Sequence, residues 1–244
     1  MDAFIRSVVS TCDHVKARKR SARTIHLSFD EWNVWFHSME ADRSAPRWTV
    51  GPRLLEDVYT LEDALVVGCL LITLLKHADR VKIACLAQLV NAIAPIMTAP
   101  GGPAWRQTIF YPFMHASRYG RGTVLDVRIE SPRYESKSYG PVPYLEATAV
   151  DDGKGSLTIF AVNRSLTESL SQDLRVGGYE RLVPLAHLEL RNADRKAANT
   201  QGAPTSVLPH ALERKPEVDE DQVRVVLSPF SWNVVRLGVV SGGA

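Results

Sequence analysis

Six consecutive residues, Asp30-Glu31-Trp32-Asn33-Val34-Trp35, hold the most concentrated chemistry in the chain. Two carboxylates stand beside two indoles and an amide, directly after the apolar alternation of Ile25, Leu27 and Phe29. A carboxylate can attack an electrophilic carbon or move a proton, while indoles pack on the apolar faces of sugar rings and amides meet their hydroxyls. An Asp-Glu pair also suits a helix N-cap or a solvated turn, so its meaning depends on what carries it. A second polar group, Gln88 with Asn91, follows the apolar run Val81 to Leu86. Its plain alternative is an amide that satisfies loop backbone.

The elements that must position these groups form a regular unit. Residues Thr24 to Phe29 alternate without helical period and read as a strand of about six residues. Residues 37–59 lose periodicity and collect Pro46, Trp48, Gly51 and Pro52, and a loop of such length inside a compact domain is usually functional. Thr60-Leu61-Glu62-Asp63 fits a helix start with Thr60 as N-cap. Leu61, Ala64, Leu65, Gly68, Cys69, Ile72 and Leu75 continue at helical spacing to Lys76 and His77, whose charges suit a helix C-terminus. Val81 to Leu86 is then a strand. A strand, loop, helix and strand in series is a βαβ unit, which makes the two strands parallel neighbours. Glu31 and Gln88 therefore fall on the same C-terminal sheet edge, where residues of a (β/α)-barrel line the active-site mouth. Residues 3–17, with Phe4, Ile5, Val8, Val9, Cys12 and Val15 on one stripe, read as a preceding helix.

After Gly120 the texture changes to short alternating runs: Val124 to Ile129, Tyr144 to Val150, Ser156 to Val162, Leu182 to Leu190, Val223 to Leu227 and Trp232 to Leu237. Turn residues such as Asp151-Asp152-Gly153-Lys154-Gly155 and Gly177-Gly178 separate them, a pattern that predicts an antiparallel β-sandwich. The expected organisation is an α/β part over residues 1–121 and an all-β part over residues 122–244.

Composition narrows the function classes. The 244 residues are 45% hydrophobic, enough for a substantial core. With 29 basic and 27 acidic residues the net charge is +2, which points to neither a nucleic-acid nor a membrane partner. The cluster Lys16-Ala17-Arg18-Lys19-Arg20 has no interleaved aromatics and reads as a solvated helix end. Cys12, Cys69 and Cys85 lack metal-ligand spacing and read as reduced core residues of a cytoplasmic-type protein. The start of the chain lacks the pattern of a secretory signal, and the apolar stretch Ala64 to Leu75 is too short to span a bilayer. Neither a Ser-His-Asp order nor a phosphate loop is present, and no metal or organic cofactor is expected.

Phe29-Asp30-Glu31-Trp32-Asn33-Val34-Trp35, after its apolar strand, resembles the nucleophile segment of the α-L-arabinofuranosidases of glycoside hydrolase family 51. The resemblance implies that Glu31 is the catalytic nucleophile, at the end of the seventh barrel strand, and that Trp35 lines the substrate cleft. Trp32 and Asn33 would position Glu31. Asp79 to Asn91 is similar to the family's eighth-strand segment, which implies that Gln88 reaches the arabinose in the −1 subsite. Ala104 to Met114 looks like the last barrel helix, kinked or started near Pro112, with Gly101-Gly102-Pro103 as the turn before it. Ala193 to Pro209 and Ser228 to Leu237 are similar to segments of the family's jelly-roll sandwich.

The fold implied is α/β plus all-β: the last strands and helices of a (β/α)8 barrel, then a C-terminal antiparallel β-sandwich of jelly-roll type. The activity implied is a retaining exo-α-L-arabinofuranosidase acting on terminal arabinofuranosyl residues of oligo- or polysaccharides, in a family that often forms homo-oligomers. Retention needs a second carboxyl about 5–5.5 Å from the first. The family supplies it from an Asn-Glu pair on the fourth strand, and this sequence has no Asn-Glu dipeptide. Glu40, Asp42, Glu56 and Asp57 match nothing in that motif and read as loop or helix-start acids. The expectation is thus a C-terminal portion that carries the nucleophile but not the acid/base, with strand faces left partly bare because two βα units cannot close a barrel. The alternative is a noncatalytic carbohydrate-binding or assembly module derived from such an enzyme, and a third is another family with the same signature and a different sugar.

Overall fold

The structure is a computed structural model that describes residues 1–35, 43, 46–52 and 55–240. Glu40 and Asp42, read above as loop acids, lie outside the described residues. The chain opens with helix α1 (Asp2–Arg18), followed by strand β1 (Leu27–Trp32), helix α2 (Leu61–Lys76) and strand β2 (Val81–Leu86). β1 and β2 pair in parallel, with Leu27 opposite Val81, Phe29 opposite Ala84 and Trp32 opposite Leu86. The βαβ unit read from the sequence is present.

Its first strand is displaced towards the C-terminus. Ile25 is 47% exposed, and pairing starts where the Leu27 N–H donates to the Arg80 carbonyl at 2.8 Å. It continues past Phe29 because the Trp32 indole is buried and the Trp32 carbonyl accepts the Ala87 N–H at 3.0 Å. Glu31 consequently lies inside the strand rather than after it.

The start of α2 is locally encoded: the Thr60 N–H and hydroxyl both bond the Asp63 carboxylate, at 2.7 and 2.8 Å. The helix is apolar on two sides. Val67, Leu71 and Leu74 pack with Ile5, Trp32 and Val81, while Leu61, Ala64, Leu65 and Ile72 pack with Phe160, Val162, Trp232 and Val234. At Gly68 a Cβ would lie 2.6 Å from the Trp232 ring, so the helix can reach the sheet only without a side chain there. The stripe of α1 is only partly covered: Ile5 is buried, but Phe4 is 63% exposed and Val15 is exposed. The cysteines depart from expectation in one place. All three are free, and Cys85 is exposed because it shares with Ile83 the open face of β2.

Strands β3 (Ile96–Thr98) and β4 (Ala104–Arg106) form a hairpin, and helix α3 spans Phe110–Tyr119. The helix expected over Ala104 to Met114 is therefore corrected. Ala104 to Arg106 pair with β3, and the buried Gln107 amide ends that segment by donating to the carbonyls of Asp57 and Ala94, both at 2.9 Å. Pro112 sits in the first turn of α3, where its missing N–H has no intrahelical partner to lose.

The remaining strands are β5 (Thr123–Leu125), β6 (Arg133–Ser136), β7 (Gly140–Pro143), β8 (Leu145–Asp151), β9 (Ser156–Asn163), β10 (Leu170–Arg175), β11 (Arg181–Leu190), β12 (Pro209–Ala211), β13 (Glu217–Asp219), β14 (Gln222–Leu227) and β15 (Ser231–Val240). β6 and β7 form a hairpin. A six-stranded antiparallel sheet, ordered β12-β11-β15-β9-β8-β5, stacks on a three-stranded sheet ordered β10-β14-β13. Leu145, Leu157, Ile159, Val223, Val225, Leu227, Val235 and Leu237 fill the space between them. The opposite face of the large sheet, with Val150, Phe160, Val162, Leu190, Trp232 and Val234, receives α2 and α3. β9 and β15 are covered on both faces, which is why their sequences are almost continuously apolar.

Candidate active site

The edge formed by the ends of β1 and β2 is built around Trp32. Its side chain enters the core beside Phe113, their ring centroids 6.5 Å apart, and a register shift between Phe29 and Trp32 breaks the alternation and leaves Asp30 and Glu31 both exposed. Asn33 takes over where pairing stops. Its Nδ2 lies 2.7 Å from the Ala87 carbonyl, 2.6 Å from the Ile93 carbonyl and 3.2 Å from the Tyr59 hydroxyl, and its Oδ1 accepts the Val34 N–H at 2.8 Å.

Tyr59 closes the network from the other side. Its hydroxyl donates to the Val34 carbonyl at 3.0 Å and its backbone N–H donates to Gln107 Oε1 at 2.9 Å. Thr108 donates its hydroxyl to the carbonyls of Tyr59 and Thr60, at 3.0 and 2.6 Å. Burial, then the charges of Asp57 and Asp63, hold the Tyr59 phenol far above its ordinary range, so it acts as a neutral donor. The ends of two short strands are thereby locked by side chains instead of by further ladder bonds.

Three residues were expected to face a sugar. Glu31 is exposed near the end of β1, and Gln88 is exposed just after β2, next to the residue that bonds the Trp32 carbonyl. Trp35, 68% exposed, leaves the same edge two residues after Asn33. All three are exposed at or just beyond the C-terminal ends of β1 and β2. The Gln88 N–H donates to the Ile93 carbonyl at 3.3 Å, and the Ala87–Gln88 peptide is cis. Gln88 is not the buried amide that its plain alternative required. Asn91 behaves differently: its Oδ1 accepts the Thr98 N–H at 2.8 Å, so it fastens the loop to β3. Asp30 is engaged by a short hydrogen bond from the Ser28 hydroxyl. Both acids are exposed, and Asp30 differs in having one oxygen held by its own strand.

Tyr59, Gln107 and Thr108 were not singled out from sequence. Tyr59 ends the loop read over residues 37–59, Gln107 and Thr108 fall in the segment read as helix, and all three reach the Glu31 edge only through chain folding, so no local spacing marks them. Among the described residues, no group of three or more His, Cys, Asp or Glu could hold a metal ion, and no helix is long and apolar enough to cross a membrane.

Residues 30–231 match the family model described as the α-L-arabinofuranosidase C-terminal domain. The chain belongs to this family. The matched region begins at Asp30 and takes in Glu31, Trp35 and Gln88. An intracellular exo-α-(1→5)-L-arabinofuranosidase of Halalkalibacterium halodurans is 58% identical over 98% of this chain and 47% of its own length. One of the same name from Streptomyces lividans is 52% identical over 97% of this chain and 36% of its own length. Among solved structures, a family 51 α-L-arabinofuranosidase from Bifidobacterium longum superposes with a TM-score of 0.86 at 38% identity, covering 97% of this chain and 46% of that one. The family 51 arabinofuranosidase of Xanthomonas axonopodis pv. citri gives 0.81 at 26% identity, over 97% and 45%. The chain spans about half the length of the curated relatives it matches, or less.

Proposed function

We propose that this chain is the C-terminal portion of a retaining exo-α-L-arabinofuranosidase, with Glu31 as the nucleophile and Trp35 and Gln88 as sugar contacts. The observation that carries this reading is the parallel pairing of β1 and β2, which puts Glu31 and Gln88 on one exposed sheet edge beside an exposed indole. In this reading β1 and β2 are the last two strands of a (β/α)8 barrel, residues 1–121 are its remnant, and residues 122–244 are the jelly-roll sandwich. The exposed Ile83, Ile25 and Phe4 fit that role, since a continuing barrel would cover apolar faces of this kind.

The Glu31 carboxylate attacks the anomeric carbon of a terminal α-L-arabinofuranosyl residue and forms a covalent glycosyl-enzyme; a second carboxyl protonates the leaving oxygen and then activates water. That second carboxyl comes from a part of the enzyme outside this chain. The Trp35 indole covers the apolar face of the sugar and the Gln88 amide bonds its hydroxyls. The substrate is an arabinofuranose-bearing oligo- or polysaccharide, and the compartment is the cytoplasm by likeness to relatives named intracellular.

A dinitrophenyl α-L-arabinofuranoside tests Glu31 apart from the missing acid, because its leaving group departs without protonation. Mass spectrometry of the treated chain is expected to find one anhydropentose on the peptide containing Glu31, and none in Glu31→Gln. A label on another residue, or phenol release that survives Glu31→Gln, removes Glu31 from the mechanism. The lack of an Asn-Glu pair favours a second reading, a noncatalytic carbohydrate-binding or assembly module. Arabino-oligosaccharide binding with neither label nor phenol release supports it.

A further inference from the structure

A cleft of about 340 Å³ lies between the end of α3, the β8–β9 turn and β15, and none of the Glu31 edge lines it. We propose that it binds an oxyanion, a phosphoryl or carboxylate group carried by a small hydrophilic molecule. Four cationic side chains converge there from separate parts of the fold: Arg118 on α3, Arg121 just after it, Lys154 in the β8–β9 turn and Arg236 on β15.

One carboxylate shares the cleft, and it is already committed. Asp152 Oδ1 accepts the backbone N–H groups of Lys154 at 2.7 Å and Ser156 at 2.9 Å. The bond from Ser156, then that from Lys154, and least of all the Arg236 charge keep the Asp152 carboxyl below its ordinary range, so it stays ionised as part of the turn. Among the described residues, none of the four cations comes within ion-pair distance of any carboxylate. What sets these four apart is that they line one cleft together. Four cations against one carboxylate leave the cleft with an excess of positive charge, and an anion between them offsets their repulsion.

The end of a helix explains two of the four. Arg118 lies in the last turn of α3, and Arg121 donates its Nε to the Ser117 carbonyl at 3.0 Å, where cations suit the negative end of the helix dipole. Lys154 and Arg236 belong to the sandwich and have no such role. Arg236 is held in place: its guanidinium lies 4.5 Å over the Tyr119 ring, its Nη2 donates to the Ser156 hydroxyl at 3.3 Å, and its Nε is buried without a hydrogen-bond partner. Arg236 lines the cleft, so a guanidinium fixed in this way brings its charge to a ligand there.

The walls are formed before any ligand arrives. Gly122 has φ +138°, and a Cβ there would lie 2.0 Å from the Asp151 carbonyl oxygen, so the chain leaving α3 is pressed directly on the β8–β9 turn. Arginine forks and a lysine ammonium match the planar carboxylate and the tetrahedral phosphoryl group alike. Nothing in this proposal depends on Glu31 or on the glycosidase reading.

Isothermal titration calorimetry on the 244-residue chain, at ionic strength fixed with sodium chloride, tests it with two probes, inorganic phosphate and galacturonate. Saturable one-site binding of at least one probe is expected. Phosphate alone identifies a phosphoryl site, galacturonate alone an acidic-sugar site, and both together a general oxyanion site. Lys154→Glu and Arg118→Glu, both at exposed positions and checked for unchanged circular dichroism, are each expected to weaken binding about ten-fold or more, the scale of one charged hydrogen bond. Arg236→Gln is expected to weaken it at least as much. Heats no larger than dilution for both probes, or affinity unchanged in both exposed variants, overturn the proposal.

Discussion

The Asn33 amide and the Tyr59 phenol meet at 3.2 Å across the ends of β1 and β2, and between them they bond three backbone carbonyls from three separate stretches of chain: Val34, Ala87 and Ile93. Two six-residue strands paired only with each other are marginal by themselves. Their geometry at the Glu31 edge therefore depends on this buried side-chain junction as much as on the ladder.

Removing the junction should loosen the edge in proportion to the polar groups it strands. Tyr59→Phe deletes one donor to Val34 and one acceptor for Asn33, and is expected to lower unfolding free energy by about 1–2 kcal/mol. Asn33→Leu leaves the Ala87 and Ile93 carbonyls without their shared donor and is expected to cost about 2–4 kcal/mol. Urea denaturation of the two variants beside the parent chain reads both values. Equal stability in all three would mean that water substitutes freely and that the junction does not hold the edge.

Gly68 sets how closely α2 approaches the sandwich. Since an added methyl would stand 2.6 Å from the buried Trp232 ring, Gly68→Ala should destabilise the chain by about 1–3 kcal/mol, despite the better helix propensity of alanine. The Trp232 fluorescence environment should change with it. A gain in melting temperature would mean that the helix can shift outward at no cost.

Much of this was legible in the residues themselves. The Thr60–Asp63 start of α2, the apolar period that follows it and the parallel β1–β2 pairing are local patterns, and the structure reproduces them. The main sandwich strands matched for the same reason, whereas β10, with only alternate residues covered, and the three-residue strands β12 and β13 gave too little pattern to read. Ala104 to Arg106 were misread as helix because nothing nearby in sequence reveals that they pair with Ile96 to Thr98. Glu31, Trp35 and Gln88 could be named because they sit beside recognisable strands. The residues that fix their frame, Tyr59 and Gln107, could not, since their partners are 13 to 50 positions away in the chain.

The joint between α2 and the sandwich also carries an ion-pair cluster. Glu146 bonds Lys76 at 2.5 Å and Arg164 at 3.1 Å, while Arg164 also reaches the Cys69 sulfur at 3.5 Å. Glu146→Gln would leave two adjacent cations in a partly covered site, and a loss of about 1–3 kcal/mol is expected. Returning the cluster to its original net charge with Lys76→Met in the same chain should recover part of that loss in a double-mutant cycle; additive losses would show that Lys76 and Glu146 do not interact.

His115 gives the fold an acid limit. It is 3% exposed, stacks on Tyr119 and accepts the Trp232 indole N–H at Nδ1, 3.1 Å away. Burial first, then the nearby Arg118 charge, push its imidazole from the ordinary 6.5 down to about 4. In the unfolded chain His115 takes up a proton below about pH 6.5, while the folded chain refuses it until about pH 4. Stability is thus full above pH 6.5 and falls as pH drops towards 4, with a contribution of about 3 kcal/mol lost across that window. His187, also pushed down by burial, acts in the same direction. His115→Gln keeps a polar group near the indole without a titrating ring, so its unfolding free energy should fall less steeply between pH 6.5 and 4.5. Parallel pH profiles for the variant and the parent chain would mean that the loss of stability in acid comes from other groups.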